Sequence, residues 1–262
     1  MFRAAITAFC AVAAQQSLSA QEAITLPGRD GLTIKAKLYR PAGAGPFPAI
    51  VALHGCGGPW QPRDDDWGNR LSGAGFLVVF PDSFGSRGLG SQCMTRARSL
   101  RPRDRAEDAF ATAEWLASRK DVARSRIGLL GWSNGGSTVL SAARTGRGPK
   151  GLEFRQAIAF YPGCRIFAEE SHYRTRLPVT ILHGLADNWT PAEPCKTLPG
   201  TRFIGFERAH HDFDHPNLPL RQRKAAYTAD GSGVVTVGTN PEARAAAIAR
   251  VMAIFGGMRA PF

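Results

Sequence analysis

The chain has 262 residues, of which 44% are hydrophobic and 21% are charged. This balance suits one globular domain with a large core. The formal net charge is +12, but the basic residues are scattered along the sequence rather than organised along one face. Their spacing therefore argues against a nucleic-acid-binding protein.

The N-terminus predicts a secretory signal peptide over residues 1–20. Arg3 is followed by an apolar run at 4–14 and then by small and polar residues, which is the order of such a peptide. The run is too short for a stable membrane anchor, and a buried N-terminal helix is the alternative. We expect an exported protein, periplasmic or secreted, with residues 21–262 as a single domain.

Short apolar runs alternate with helical patterns along the rest of the chain, which is typical of a parallel α/β sheet. Residues 32–39 alternate apolar and polar positions and predict an early antiparallel strand. Buried strands are predicted over 48–53, 76–80, 127–130, 157–161, 179–183 and 202–206. Helices are predicted over 103–118, 134–144 and 241–255, the last capped by Asn240.

A G-x-S-x-G pattern at 131–135 lies between a predicted strand and a predicted helix. A strand that turns abruptly into a helix at a serine presents the hydroxyl clear of the backbone, and the tight turn needs glycine on both sides. The pattern alone is weak, because short Gly/Ser strings recur in a chain with 29 glycines. Its context favours Ser133 as a nucleophile over an ordinary turn residue.

A serine nucleophile needs a base to take its proton and an acid to orient that base. Asp187 and His211 each follow a predicted strand, so both should lie at the same sheet edge as Ser133. Their order along the chain is the one expected for this topology. Asp82 also ends a strand and is the rival acid, but it precedes the serine.

Other histidines and a group of arginines receive less specific interpretations. His183 is predicted to be buried at a strand end, and His215 to lie on a surface loop. The arginine cluster could steer an anionic substrate, but we favour a solvated loop. Its members are Arg96, Arg98, Arg101, Arg103 and Arg105.

Acyl transfer also needs hydrogen-bond donors for the oxyanion that develops. One candidate is the backbone N–H of Asn134 at the start of a helix, where the helix dipole favours negative charge. The other is the N–H of Cys56, in a glycine-rich segment at 54–58 that follows a predicted strand. A plain glycine-rich turn is the alternative for this segment.

Four cysteines remain in the predicted mature chain, and an oxidising compartment permits two disulfides. We predict the pairs Cys56–Cys93 and Cys164–Cys195, because each pair lies in loops that follow neighbouring strands at one sheet edge. Free thiols or a different pairing are the alternatives. No C-x-x-C or clustered His/Cys spacing indicates a metal site.

Several motifs together resemble dienelactone hydrolase family proteins, in order and over nearly the whole mature chain. They are HGCGG at 54–58, DSFGSRG at 82–88, GWSNGG at 131–136, the loop around Asp187, and AHHDFD at 209–214. The resemblance implies an α/β-hydrolase fold, a mostly parallel central sheet with helices on both faces, and a triad of Ser133, Asp187 and His211. In the family the catalytic histidine stands two residues before a phenylalanine, which selects His211 over His210.

Dienelactone hydrolases themselves carry cysteine as the nucleophile, whereas this chain has Ser133. We therefore expect a serine hydrolase that cleaves a small-molecule carboxylic ester, without a metal or organic cofactor. One alternative is a serine peptidase of prolyl-oligopeptidase type, for which we recognise no propeller segment in the sequence. Another is a non-catalytic binding protein on a hydrolase scaffold, which we would expect to have lost part of the constellation.

Overall fold

The structure is a computed structural model that describes residues 20–228 and 230–259. Eight strands form its central sheet: β1 (Ala20–Pro27), β2 (Thr33–Arg40), β3 (Phe47–Leu53), β4 (Leu77–Pro81), β5 (Val122–Trp132), β6 (Ala157–Phe160), β7 (Val179–Gly184) and β8 (Thr201–Phe206). Their order across the sheet is β1-β2-β4-β3-β5-β6-β7-β8. β2 runs antiparallel to both its neighbours, and the pairs from β4 to β8 are parallel.

Helices cover both faces of this sheet. They are α1 (Gln61–Gly73), α2 (Pro102–Ala117), α3 (Asn134–Ala143), α4 (Arg165–Ala168), α5 (Glu193–Lys196) and α6 (Pro241–Gly256). Alternate side chains of a strand point to opposite faces, so Val51 of β3 packs in one cluster with α2 and α3. Its neighbour Ile50 packs in the other cluster with α1 and α6. This is the predicted α/β-hydrolase architecture.

The predicted strands and helices are present, with some additions. The sequence interpretation missed β1, α1, the short helices α4 and α5, and a separate antiparallel hairpin of β9 (Arg221–Lys224) and β10 (Val234–Val237). Asn240 caps α6 as predicted, since its side-chain oxygen accepts a hydrogen bond of 3.1 Å from the N–H of Ala243. These additions lie at the sheet edge or in connections, where local patterns are short.

The predicted signal peptide lies outside the described residues, apart from residue 20, which is the first residue of β1. Within residues 20–228 and 230–259, no helix combines the length and apolar character that crossing a membrane requires.

Both predicted disulfides are present in the structure. Cys56–Cys93 joins the loop after β3 to the loop after β4, with the Cα atoms 4.9 Å apart. Cys164–Cys195 joins the start of α4 to α5, with the Cα atoms 5.1 Å apart. Both therefore fasten segments at the carboxyl edge of the parallel strands.

Candidate active site

Ser133 stands at the turn between β5 and α3, with φ 53° and ψ −114°. This is a backbone conformation that residues other than glycine seldom adopt, and it marks a strained turn. A Cβ atom at Gly131 would lie within 3.0 Å of the carbonyl oxygen of Gly135. A Cβ atom at Gly135 would likewise lie within 3.0 Å of the carbonyl oxygen of Leu53. Glycine at both positions is thus a steric requirement of the elbow that carries Ser133.

Asp187 and His211 form a buried pair in the loops after β7 and β8. The Nδ1 atom of His211 lies 2.7 Å from Oδ2 of Asp187. The backbone N–H groups of Trp189 and Thr190 donate to the other carboxylate oxygen, over 2.8 and 3.0 Å. This arrangement places a proton on Nδ1, and the buried Nε2 atom of His211 has no hydrogen-bond partner among the described residues.

The electrostatics of this pair favour a histidine that can accept a proton. Burial alone would lower the pKa of His211, but the charge and hydrogen bond of Asp187 outweigh it and hold this pKa above its ordinary value of 6.5. Burial likewise opposes ionisation of Asp187, yet His211 keeps the pKa of that carboxyl below its ordinary value. The acid therefore stays ionised and stabilises positive charge on the imidazole.

Ser133 and His211 line one cavity of about 150 Å³ at the carboxyl edge of the sheet. The rival residues are placed elsewhere. Asp82 accepts a hydrogen bond of 2.8 Å from the N–H of Gly85 in its own loop, and His210 is not among the described residues that line this cavity. The structure thus joins His211 to Asp187, rather than to Asp82, and places Ser133 and His211 on the lining of one cavity.

The peptide between Gly55 and Cys56 is held by the ring of His54. Nε2 of His54 accepts from the N–H of Ser83 over 3.2 Å, so Nδ1 carries the proton and donates to the carbonyl of Gly55 over 2.8 Å. Burial and the nearby charge of Arg105 hold the pKa of His54 well below 6.5, which keeps the ring neutral. Because the C=O and N–H of a trans peptide point in opposite directions, this bond turns the N–H of Cys56 away from His54. Cys56 lines the cavity that contains Ser133.

The burial of Arg105 contradicts the interpretation of the arginine cluster as a solvated loop. Its guanidinium is fully buried and donates to Oδ1 of Asn134 over 2.5 Å and to the carbonyl of His54 over 2.9 Å. It makes no ion pair within the part of the chain that the structure describes. Burial lowers its pKa to about 9, so the charge persists at neutral pH. Arg96 and Arg101 are exposed in the connection before α2, as expected, whereas Arg103 is exposed but lies within α2.

Asp214 is a buried carboxylate that the sequence interpretation did not single out. It accepts three hydrogen bonds, from Nε1 of Trp67 over 2.8 Å, Nε1 of Trp132 over 2.7 Å and the hydroxyl of Tyr161 over 2.6 Å. The ring of Tyr161 in turn lies 4.4 Å from that of His211, centroid to centroid. This network fixes the segment that carries the histidine. The second aspartate of the AHHDFD motif was its only sequence signal.

The placement of His215 on a surface loop was wrong. This histidine is buried, because the ring of Trp60 stacks on it with the centroids 4.4 Å apart. Both side chains line the cavity with Ser133, and the ring of Trp189 lies 4.6 Å from that of His211 on another side. Aromatic rings therefore shape the space in front of the nucleophile. Within the described residues, no three His, Cys, Asp or Glu side chains are grouped as metal ligands would be.

A serine on a strand–helix elbow, with a buried Asp–His pair beside it at the carboxyl edge of a mostly parallel sheet, defines an α/β-hydrolase. The sequence profile of the dienelactone hydrolase family matches residues 34–257. The chain belongs to this family.

Solved structures and curated proteins resemble the chain at low identity. A protein assigned as a dienelactone hydrolase from Klebsiella pneumoniae subsp. pneumoniae MGH 78578 shares 18% identity at a TM-score of 0.69, over 90% of this chain and 98% of its own. The dienelactone hydrolase-like promiscuous phosphotriesterase P91, from metagenomic libraries, shares 18% at a TM-score of 0.63, over 91% and 99%.

A curated relative, named Probable dipeptidyl-aminopeptidase B, comes from Neosartorya fischeri. It is 26% identical over 197 residues, which is 71% of this chain and 21% of the relative. The chain therefore spans about a fifth of the length of this relative.

Proposed function

We propose that this protein is an exported serine hydrolase that cleaves a carboxylic ester through an acyl-enzyme. The observation that carries the proposal is the buried Asp187–His211 pair, whose histidine lines one cavity with Ser133 on its elbow. A carboxylate that orients a histidine, a histidine that acts as base and a serine nucleophile are the groups that acyl transfer to serine requires.

In the proposed reaction, Ser133 Oγ attacks the ester carbonyl while Nε2 of His211 takes the hydroxyl proton. The backbone N–H groups of Cys56 and Asn134 stabilise the oxyanion of the tetrahedral intermediate. His211, held by Asp187, then gives its proton to the leaving alcohol, and an acyl-serine remains. Water, activated by the same histidine, hydrolyses this acyl-enzyme and releases the carboxylic acid.

An organophosphonate probe tests the nucleophile directly. We expect it to label the wild-type protein at Ser133 and to leave Ser133→Ala unlabelled. Ser141→Ala is the matched control, since this serine lies two turns further along α3 and should not affect labelling. Labelling of another serine would contradict the assignment, and an unlabelled wild-type protein would favour a non-catalytic binding protein.

A serine peptidase is the second candidate function, and the similarity to a dipeptidyl-aminopeptidase B favours it. The same triad cleaves amides when the site can bind a peptide. Parallel assays with p-nitrophenyl esters and dipeptidyl p-nitroanilides separate the two functions. We expect kcat/KM for the esters to be the larger by at least a hundredfold, and a preference for the anilides would replace our proposal.

The proposal also includes export of a single hydrolase domain, residues 21–262, behind a signal peptide. Two disulfides support it, because such bonds are rare in reducing compartments. Fractionation of cells that express the whole chain, with N-terminal sequencing of the product, tests it. We expect a product that begins at Gln21 outside the cytoplasm, and an uncleaved cytoplasmic product would contradict export.

A further inference from the structure

Ser133 lies between two cavities of very different size. The smaller, of about 150 Å³, is the one that His211 lines. The larger, of about 560 Å³, shares Cys56, Ser133 and Trp189 with it and is also lined by Asn134, which the smaller cavity does not contact. We call the larger one the acyl cleft, defined by Ser133, Asn134, Cys164, Ile166, Pro191 and Tyr227. An ester bound at Ser133 can therefore place its two halves in different spaces.

The position of His211 decides whether the alcohol half or the acyl half of the ester enters the small cavity. In the tetrahedral intermediate the leaving alcohol must receive its proton from this histidine, so its oxygen must lie on the His211 side. His211 lines the small cavity and is absent from the described lining of the acyl cleft. The alcohol is thus directed to the small cavity, and the acyl group is left with the larger space beside Asn134.

The walls of the acyl cleft are apolar over most of their extent. Ile166 and Tyr227 are 52% and 46% exposed, so both side chains present apolar surface to water. Both line this cleft, together with Pro102, Pro191 and Pro194. An apolar ligand would remove this surface from water, which is a favourable change of about 25 cal/mol per Å².

The two cations in the lining already have partners. The guanidinium of Arg98 lies over the ring of Tyr227, 5.3 Å from its centroid, and donates to the carbonyl of Gln92 over 3.3 Å. Arg165 lies 3.9 Å from Glu169 one helical turn away, and its side chain is 78% exposed. Arg98 is therefore engaged within the protein, and Arg165 is largely exposed to water, so neither is a buried binding group for an anion. Most of the remaining surface of the cleft is apolar.

We propose that the acyl cleft binds an apolar, medium-length acyl chain, and that the small cavity restricts the alcohol to a compact group. This inference rests on the proposed function and names the substrate class for it. The enzyme would then be selective for the acid half of the ester. Each methylene that enters the cleft should raise kcat/KM, by roughly two- to fourfold at about 0.8 kcal/mol per buried methylene.

Two ester series test this assignment on the full-length processed protein. In the first, p-nitrophenol is constant and the acyl group grows from acetyl to octanoyl. In the second, butanoyl is constant and the alcohol grows from methanol to octanol, with acid release followed at constant pH. We expect kcat/KM to rise at least tenfold through the first series and to fall through the second. The opposite pattern, or no dependence on acyl length, would overturn the inference.

A substitution in the acyl cleft tests whether the acyl chain binds there. We expect Ile166→Trp, which fills the cleft from an exposed position, to lower kcat/KM at least tenfold for the octanoyl ester while the acetyl ester changes less than twofold. Leu220→Trp is the matched control, since Leu220 is 65% exposed and lines neither cavity. Equal losses for both esters in Ile166→Trp would overturn the assignment of the cleft.

The failure of this inference is distinguishable from the failure of the proposed function. Hydrolysis of every ester at Ser133 without acyl-length preference leaves the proposed function standing and removes the acyl cleft. Absence of hydrolysis throughout both series, with an unlabelled Ser133, removes both.

Discussion

Arg105 donates a hydrogen bond of 2.5 Å to the side-chain oxygen of Asn134, and its second nitrogen donates to the carbonyl of His54 over 2.9 Å. One buried cation thereby joins the first residue of α3 to the loop after β3. These are the two segments that carry the proposed oxyanion donors, Asn134 and Cys56. A positive charge held in a low-dielectric interior behind them also favours the negative charge that develops in the reaction. Arg105 is therefore a positioning residue in our interpretation.

Replacing Arg105 should reduce catalysis more than substrate binding. We expect Arg105→Met to lower kcat at least tenfold with KM within about threefold, because the donors lose their alignment. Arg105→Lys should lie between this variant and wild type, since an ammonium keeps the charge but lacks the planar fork that reaches both acceptors. Steady-state kinetics with one p-nitrophenyl ester measures both parameters.

Arg176, a partly buried arginine that lines neither cavity at Ser133, provides the control for stability. It donates to the carbonyl of Ala142 and pairs with Glu153, and it lines a groove that contains no triad residue. Both Arg105→Met and Arg176→Met should lower the free energy of unfolding, by about 1–3 kcal/mol for acceptors left without a donor. Only the first should lower kcat, and equal effects on kcat would assign Arg105 a structural role alone.

The adjacent histidines should differ sharply on substitution. We expect His211→Ala to lower kcat/KM by about a thousandfold or more, because it removes one member of a unit that acts together. His210→Ala should change it less than tenfold, since this side chain is absent from the described cavity lining. Ester kinetics and circular dichroism on both variants check this, and a larger loss from His210→Ala would reverse the assignment.

The pH dependence of kcat/KM should report the raised pKa of His211. Only neutral imidazole can take the proton of Ser133, so the rate should rise with pH and level off above a midpoint that exceeds 6.5. In Asp187→Asn the counter-charge is gone and burial lowers the pKa of His211. The midpoint should then shift to lower pH while the plateau falls by about 10⁴-fold. A midpoint unchanged by this substitution would contradict the pairing of the two residues.

The elbow should not tolerate a methyl group at its glycines. We expect Gly131→Ala to lower the free energy of unfolding by about 2 kcal/mol or more, because its Cβ would meet the carbonyl of Gly135. Gly90→Ala is the matched control, since a Cβ there meets no atom within 4 Å. Urea unfolding of both proteins measures the difference, and similar stabilities would mean that the turn relaxes more easily than its geometry indicates.

Much of the candidate site could be inferred because its residues lie in short sequence motifs. The elbow at Ser133 needs glycines at fixed offsets, and Asp187 and His211 follow apolar runs long enough to be recognised as strands. The cysteine pairing could be inferred for a related reason, since neighbouring parallel strands bring their following loops to one edge. These features depend on short-range sequence and on topology.

The parts that were missed depend on contacts between distant segments. Arg105 lies in a run of arginines that looks solvated, and only the packing of α2 against α3 turns it inward to Asn134. His215 is buried because Trp60, far away in sequence, covers it. The three donors to Asp214 come from separate elements. No local sequence pattern indicates contacts between distant segments, so these contacts could not be predicted from the sequence.

The disulfide between Cys56 and Cys93 has a consequence for the stage at which the proposed catalytic site is complete. Cys56 supplies a proposed oxyanion donor through its backbone and is joined through its sulfur to the loop that walls the acyl cleft. A chain that has folded its sheet but kept its thiols reduced would lack this tether at the reacting centre. We therefore expect the proposed ester hydrolysis to be slower in the reduced chain than in the oxidised protein. If the protein is exported as we propose, this tether forms only after the chain has left the reducing cytoplasm.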